Sequence, residues 1–290
     1  MHSFSYHIEQ QHDGTNIGTY LRRTQGFSRE LVKRIKRSGE VTVNGEPRPL
    51  WHKLAAGDTL HVSVEEEREQ LLEPQQIPFE ILFEDESLLV VNKPAGLVVH
   101  PTKGVADGTL ANGVVHHWMQ QGESRIFRPV NRLDRDTSGI VVVAKNSYVQ
   151  ERLIQQSRKD EWQKYYTAVV QGVLPTRTGV IDAPIARVGN GSRARTVSAD
   201  GKPSRTLWKL LQGFDAASLV EAQLITGRTH QIRVHFAHIG HPLLGDDLYG
   251  KPSTLIPRQA LHASRLSFIH PVEKTPMELE APLPEDMRLL

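Results

Sequence analysis

Apolar positions follow one spacing in the first sixty-odd residues and another after them. Ile17, Tyr20 and Leu21 recur at helical spacing. Leu31, Val32 and Ile35 repeat that spacing after Ser28, which can cap a second helix that Ser38-Gly39 would end. Val41-Thr42-Val43 reads as a short strand and Asn44-Gly45 as a turn, while Leu60, Val62 and Val64 alternate as a strand does. Pro47 and Pro49 argue against a simple hairpin there. The order predicted is helix, helix, then a few strands. Further on, short apolar runs take over: Leu88-Leu89-Val90-Val91, Leu97-Val98-Val99, Ile140-Val141-Val142-Val143-Ala144 and Tyr166-Thr167-Ala168-Val169-Val170. Clusters of Gly, Pro, Asn and Asp separate them, and helical patterns lie near 109–120 and 147–157. This predicts an α+β domain with a largely buried sheet.

Charge changes the picture by showing where the chain divides. The 35 Lys and Arg nearly cancel the 33 Asp and Glu, leaving a net charge of +2 over 290 residues. Locally the balance breaks. Arg22, Arg23, Arg29, Lys33, Arg34, Lys36 and Arg37 face a single acid, Glu30; between Glu65 and Glu86, nine acids face one base, Arg68. The acidic stretch, with Gln-rich sequence and Pro74 and Pro78, reads as a linker. We therefore expect domains over 1–66 and 79–290, joined by 67–78. The bases of the second helix avoid its apolar stripe, which suits either a solvated face or one that binds phosphates. With no Cys, disulfide scaffolds, thiol nucleophiles and thiolate metal sites are excluded. No apolar stretch approaches the roughly 20 residues of a membrane span, and no basic-then-apolar leader opens the chain, so a soluble cytoplasmic protein is expected.

Four segments could carry chemistry. Asn131-Arg132-Leu133-Asp134-Arg135-Asp136-Thr137-Ser138-Gly139 sets two Asp and two Arg directly before the Ile140–Ala144 run. A turn in which Asp and Thr cap backbone groups would account for it. The functional reading is a carboxylate held ionised by Arg, because an opposite charge within about 4–6 Å favours the charged, nucleophilic form. Asp136 raises a glycosidase-like pair, but it lies only two residues away, and the flanking Arg favour one ionised group. In the second segment, Thr229 can cap a helix whose buried stripe is Ile232, Phe236 and Ile239, ended by Gly240 and Pro242. Arg233 lies off that stripe as a partner for a carboxylate from another loop. His230, His235, His238 and His241 lack the i, i+4 spacing of helical metal pairs, so they read as polar surface groups and no metal is expected. In the third, Tyr166 shares a strand face with Ala168 and Val170, as core or as a platform for a nucleobase. The fourth, Arg177 to Lys209, carries seven bases and two acids with Gly189, Gly191 and Gly201, and reads as a flexible basic loop over a phosphate-bearing ligand. Neither phosphate-loop nor dinucleotide spacing is present, so no nucleotide cofactor is implied.

Two resemblances follow from these motifs. YLRR, FSRELVKRIKRSGEVTVNG and KLAAGDTLHV, over about residues 15–64, resemble the S4 RNA-binding domain, which implies a helix pair that docks on structured RNA. RLDRDTSGIVVVAKN, KYYTAVVQG and TGRTHQIRVHFAHIGHPLLGDDLYG look like the successive motifs of the RluA family of pseudouridine synthases. NKPAGLVVHP before them, and LHASRLSFIHP and APLPEDM after them, fit as well, so this likeness spans about 79–290. The chain departs from the family at Asn131, where His is usual; Asn keeps hydrogen-bonding capacity but cannot carry charge.

The resemblance implies an isomerase that turns a uridine in RNA into pseudouridine without cofactor, on a mixed, mostly antiparallel central sheet flanked by helices and loops. Asp134 matches the family's essential Asp, Arg233 its Arg partner, and Tyr166 the aromatic that packs on uracil. Arg132 would fill the space left by the flipped base. Arg135, Thr137, Arg228 and His230, with Arg22, Arg29, Lys33 and Arg37 of the S4-like segment, are expected to contact RNA. Ribosomal RNA is the favoured substrate, transfer RNA the alternative, and the protein is expected to be a monomer. A catalytically silent RNA-binding protein would not need Asp134, Tyr166 and Arg233 together. A metal-dependent nuclease would need a carboxylate cluster, for which only Asp246-Asp247 offers itself.

Overall fold

The structure, a computed structural model, describes residues 2–27, 29–64, 72–157, 161–189 and 191–290. The chain opens with a strand the sequence reading missed, β1 (His2–His7), ahead of the helices α1 (Ile17–Arg23) and α2 (Arg29–Ser38). Ile17, Tyr20 and Leu21 are buried, and the Asn16 side chain caps α1 by accepting from Thr19 N–H at 2.8 Å. Ser28, expected to cap α2, lies outside the described residues. β2 (Glu40–Val43), β3 (Glu46–Pro47) and β4 (Thr59–Val64) complete an antiparallel sheet of order β1-β4-β2-β3. Asn44 and Gly45 both have positive φ, as a two-residue primed turn requires. β1 escaped notice because Phe4 and Tyr6 offer only two alternating positions at a polar terminus, and their rings pack inward on later elements.

The second body is a ten-stranded mixed sheet. Its strands are β5 (Glu80–Glu84), β6 (Leu88–Lys93), β7 (Arg128–Pro129), β8 (Ser138–Ala144), β9 (Gln163–Gln171), β10 (Thr178–Asp182), β13 (Arg205–Gly213), β14 (Ala217–Leu224), β15 (Leu261–Ile269) and β16 (Pro276–Glu280). A separate hairpin pairs β11 (Ile185–Arg187) with β12 (Arg195–Val197). The helices are α3 (Leu110–Gln120), α4 (Ser147–Gln156), α5 (Gln231–His238) and α6 (Glu285–Arg288). The main path runs β10-β13-β14-β9-β15-β8-β6-β5, antiparallel throughout except where β15 meets β8. That parallel contact is short, with His262 opposite Ser138 and Ala263 opposite Gly139. Gly139 is required there: at φ +112 a Cβ would lie 2.2 Å from Ala263 O.

Every residue of β8 is buried, because helices cover both faces. Leu88, Val90, Val142 and Ala144 pack to the α4 side, and Leu89, Val91, Val141 and Val143 pack to the α3 side around Trp118. The N-terminal sheet docks on α4. Phe4 and Phe27 stand 4.5 and 5.0 Å from the Tyr148 ring. Arg152 donates to Gln25 O at 3.1 Å, and Arg34 to Ser147 Oγ at 2.8 Å. Arg34, read from sequence with the basic face, thus holds the junction between the two sheets.

Three further expectations need correction. Leu97-Val98-Val99 forms no strand: Val98 and Val99 instead accept the first N–H groups of α3 through their carbonyls. The basic stretch 177–209 is not a single loop but holds β10, β11, β12 and the start of β13; β10 is mostly exposed, so its alternation is faint. Within the expected linker, residues 67–71 lie outside the described residues, and the rest lies along α3, where Asn112 Nδ2 donates to Glu73 O at 2.9 Å. Among the described residues no helix is long and apolar enough to cross a membrane.

Candidate active site

The Asp134 turn enters β8 through a substitution of side chain for backbone. β7 is only two residues long, ending at Pro129, but Val130 N–H still bonds Val142 O at 2.8 Å. Asn131 then continues the ladder with its amide: Oδ1 accepts from Val142 N–H at 2.8 Å and Nδ2 donates to Ile140 O at 2.9 Å. The residue that departs from the resemblance thus acts as a mimic of the peptide group. Thr137 N–H closes the turn on Asp134 O at 3.1 Å. Two cations hold its backbone from beneath. Lys93 Nζ donates to Arg135 O at 2.9 Å and to Pro94 O and Leu97 O at 2.8 Å each. Arg258 Nη1 donates to Asp136 O at 3.1 Å while its other nitrogens grip Asp286 at 2.7 and 2.8 Å. Lys93 is fully buried, and that burial pulls its pKa down to about 7, against the charges of Asp136 and Asp134.

Above the turn stands α5. Arg233 Nη1 lies 3.4 Å from Asp134 Oδ2, so the expected pair is formed. Its stronger partner is one the sequence reading did not choose. Arg233 Nε and Nη2 make a fork with Asp246 at 2.7 and 2.8 Å, and Asp246 is completely buried. Asp246 Oδ1 also accepts from Leu248 and Tyr249 N–H, both at 3.1 Å. Burial works against the Arg233 charge, but Asp246 outweighs it and raises the pKa. The Tyr249 ring lies 5.1 Å from the guanidinium carbon. Tyr249 Oη accepts from Arg195 N–H at 2.8 Å and shares a hydrogen bond with His230 Nδ1 at 2.8 Å. His230 Nε2 faces Asp134 Oδ1 at 3.8 Å. Burial lowers the His230 pKa, which favours the neutral imidazole.

The helix start differs from expectation. His230, in the left-handed region at φ 58, precedes the first turn where Thr229 was predicted to cap, and Ile239 is 38% exposed instead of buried. The conformation at His230 turns its ring toward Asp134 and Tyr249. Beneath, Tyr166 lies buried with Ala168, Val170, Ile232 and Phe236. Burial first, and then the charge of Asp134, raise its pKa, so the phenol stays protonated.

The structure thus brings Asp134, Arg233, His230 and Tyr166 to one place. Arg132, Arg135 and Arg228 are exposed around it, with Arg135 donating to Gly96 O and Arg228 to Pro203 O, both at 3.2 Å. Thr137, expected to contact RNA, is buried and accepts from Gln259 at 3.2 Å, because it is where the turn plugs into the core. Arg22, Arg29, Lys33 and Arg37 are exposed on α1 and α2, away from this turn. Of the His series only His235 is buried, between Thr206 Oγ1 and Ala183 O; His238 is exposed, and His241, partly exposed, bonds Gln171 O. Among the described residues no group of His, Cys, Asp or Glu is arranged to hold a metal. Sequence reasoning missed Lys93, Asp246 and Tyr249. The available signals were a Lys in register with buried Leu89 and Val91, and an acid directly after Leu243-Leu244-Gly245.

Comparison with known proteins fits this arrangement. The RNA pseudouridylate synthase family pattern matches residues 87–238. The Bacillus subtilis (strain 168) protein described as uncharacterized RNA pseudouridine synthase YlyB is 42% identical, covering 99% of this chain and 96% of that protein. Ribosomal large subunit pseudouridine synthase D of Zymomonas mobilis is 41% identical, covering 91% of this chain and 88% of that protein. The solved structure of human RNA pseudouridylate synthase domain containing 4 superposes with a TM-score of 0.60 at 26% identity, covering 72% of this chain and 90% of that one.

Proposed function

The chain belongs to the RNA pseudouridine synthase family, and on that premise we propose that it isomerises a uridine of large-subunit ribosomal RNA, with Asp134 as the essential group. The observation that carries this reading is the Asp134 carboxylate, partly open to solvent, 3.4 Å from Arg233 and close enough to raise the Tyr166 pKa. In the reaction the N1–C1′ bond breaks, the uracil turns, and C5 bonds to C1′; C5 loses its hydrogen to solvent and N1 takes up a proton. Asp134 acts on the ribose, Arg233 holds its carboxylate with His230 beside it, and Tyr166 supports the uracil face. No external reductant or energy source enters that balance. Extruding the base costs a few kcal/mol, which favours a weakly paired target. Arg135 and Arg228 stand at the opening to meet phosphates, and Arg132 fills the space the flipped base leaves.

The likeness to relatives named for the ribosomal large subunit supports the choice of RNA. Residues 1–66 are read as an S4-like RNA-binding domain, with Arg22, Arg29, Lys33 and Arg37 toward RNA, 67–78 as its linker and 79–290 as the catalytic domain, in a monomeric cytoplasmic enzyme. The test is tritium release from ribosomal and transfer RNA transcripts made with 5-³H-uridine. Wild type should release tritium from large-subunit transcripts, and Asp134→Asn should reduce release by about 10⁴-fold or more, the scale of losing one member of a catalytic unit. Release from transfer RNA alone would overturn the substrate, and release unaffected by the substitution would overturn the role of Asp134.

A further inference from the structure

We infer that Lys164 is the anchor for a backbone phosphate flanking the uridine that lies against Tyr166. The inference rests on the reading of Asp134 and Tyr166 given above. Lys164 and Tyr166 are two apart in β9 and share one face of the sheet. Two independent contacts fix that face. Tyr166 packs with Ile232 and Phe236 of α5, while Lys164 Nζ sits beside Gly227, in the segment leading into α5, where a Cβ would stand 3.4 Å away. Tyr165 points the other way, with Arg265 stacked 3.7 Å over its ring. Lys164 therefore stands at the edge of the uracil platform, about 6.7 Å along the strand, under a glycine that leaves the approach open.

This lysine is unusual among the cations near the site. Arg233, Arg258, Lys93 and Arg265 each have carboxylates or carbonyls in hydrogen-bond contact. Among the described residues the Lys164 ammonium has no hydrogen bond and no ion pair, and burial lowers its pKa. Yet it is not sealed, being intermediate in exposure. A half-buried ammonium that makes no contact to a protein acceptor is free to take one from a ligand. An anion is the ligand that best matches a positive charge with three donors and no acceptor. The anions of an RNA substrate are its phosphates. Asp134 takes the ribose side and Tyr166 the base, and the remaining part of the same nucleotide is its phosphodiester.

The test compares full-length wild type, Lys164→Met and Lys164→Arg on whichever ribosomal or transfer RNA transcripts the wild type modifies. Binding is measured across salt concentrations in the Asp134→Asn background, and turnover by tritium release. We expect Lys164→Met to weaken binding about tenfold, to make the salt slope shallower by about 0.7, and to raise KM more than it lowers kcat. Lys164→Arg should keep most of the affinity. Once the modified uridine is located, a stem-loop with a neutral methylphosphonate at its 5′ or 3′ linkage should bind wild type more weakly and leave Lys164→Met unaffected. An unchanged salt slope, a loss confined to kcat, or equal methylphosphonate penalties in wild type and Lys164→Met would overturn the inference. Should Lys164→Met fail to fold, judged by circular dichroism, the absence of any methylphosphonate penalty in wild type and Lys164→Arg would overturn it. Failure of the underlying site reading would appear separately, as no tritium release by wild type from any transcript.

Discussion

Arg233 and Lys93 are both buried cations within reach of the Asp134 turn, yet their surroundings are opposite. Arg233 meets two carboxylates, Asp246 through a fork and Asp134 through its remaining nitrogen. Lys93 meets three backbone carbonyls and no carboxylate directly. One side of the turn is organised by paired charge, which fixes a functional side chain. The other is organised by neutral acceptors around an ammonium, which fixes backbone. Burial leaves their charges in different states: the Arg233 pKa is raised, and that of Lys93 falls to about 7. A paired guanidinium keeps its charge in the interior, whereas an ammonium held only by dipoles becomes titratable near neutrality.

The sharpest way to break this contrast is Asp246→Asn. The amide keeps the shape and an acceptor for the Leu248 and Tyr249 N–H groups, but Arg233 loses the charge that offsets its burial. Removing one partner of a buried pair typically costs about 3–5 kcal/mol. Arg233 should also turn toward Asp134, its remaining carboxylate, and displace it. Misplacement by about 1 Å costs on the order of 10² in rate. We expect denaturant unfolding and tritium release to register both losses. Wild-type turnover in Asp246→Asn would show that Arg233 needs no second carboxylate to position it.

Lys93→Met probes the other side, with a smaller effect. The methionine fills the space but leaves the carbonyls of Pro94, Leu97 and Arg135 without their donor, at about 1–3 kcal/mol for an unsatisfied buried group. Relief from burying an ammonium offsets part of that loss. The pH dependence is more diagnostic. Because the folded pKa of about 7 lies below the ordinary 10.5, the unfolded chain binds more protons between those values, and stability rises with pH there. The slope from one such group reaches about 1.4 kcal/mol per pH unit. Below pH 7 both states are protonated and the penalty is constant. Lys164 is depressed too, so the difference between wild type and Lys93→Met is the quantity to measure. Equal slopes above pH 7 would mean that Lys93 stays charged in the folded state.

The same contrast explains what was legible in the chain. β8 and β9 could be read because burial leaves nearly uninterrupted apolar runs, and α3 and α4 because their apolar spacing is helical. Asp134, Tyr166 and Arg233 stood out because each interrupts or abuts such a run, and the resemblance supplied their roles. Asp246 was passed over because its partner is set by how α5 meets the following turn, and no local rule links positions 233 and 246. Lys93 was hidden by looking like the polar end of a strand. The basic segment 177–209 was misread for a related reason: β10 is mostly exposed, so alternation, the signal for a strand, is faint. Thr229 gave a sound capping signal, but His230 adopts the strained position at the head of α5 and displaces it.

Asn131 offers the smallest effect and the finest test. Its amide makes the two ladder bonds that the two-residue β7 cannot, so Asn131→Ala leaves Val142 N–H and Ile140 O without a partner at the start of the turn. The cost expected is about 1–3 kcal/mol, with turnover at 25 °C reduced only a few-fold, because Lys93, Arg258 and the Arg233 pair still hold the Asp134 segment. Asn131→His, which restores the residue usual in the resembled family, should be intermediate: an imidazole can accept from Val142 N–H or donate to Ile140 O, but it does not reproduce the side-by-side geometry of an amide. Unfolding free energy and tritium release measured on both variants separate the alternatives. A loss of turnover as large as that of Asp246→Asn, with stability unchanged, would place Asn131 in contact with RNA and end its reading as a backbone mimic. Loss of stability with turnover preserved would mean that the turn is anchored through the strand and the carboxylate is set from above, by α5.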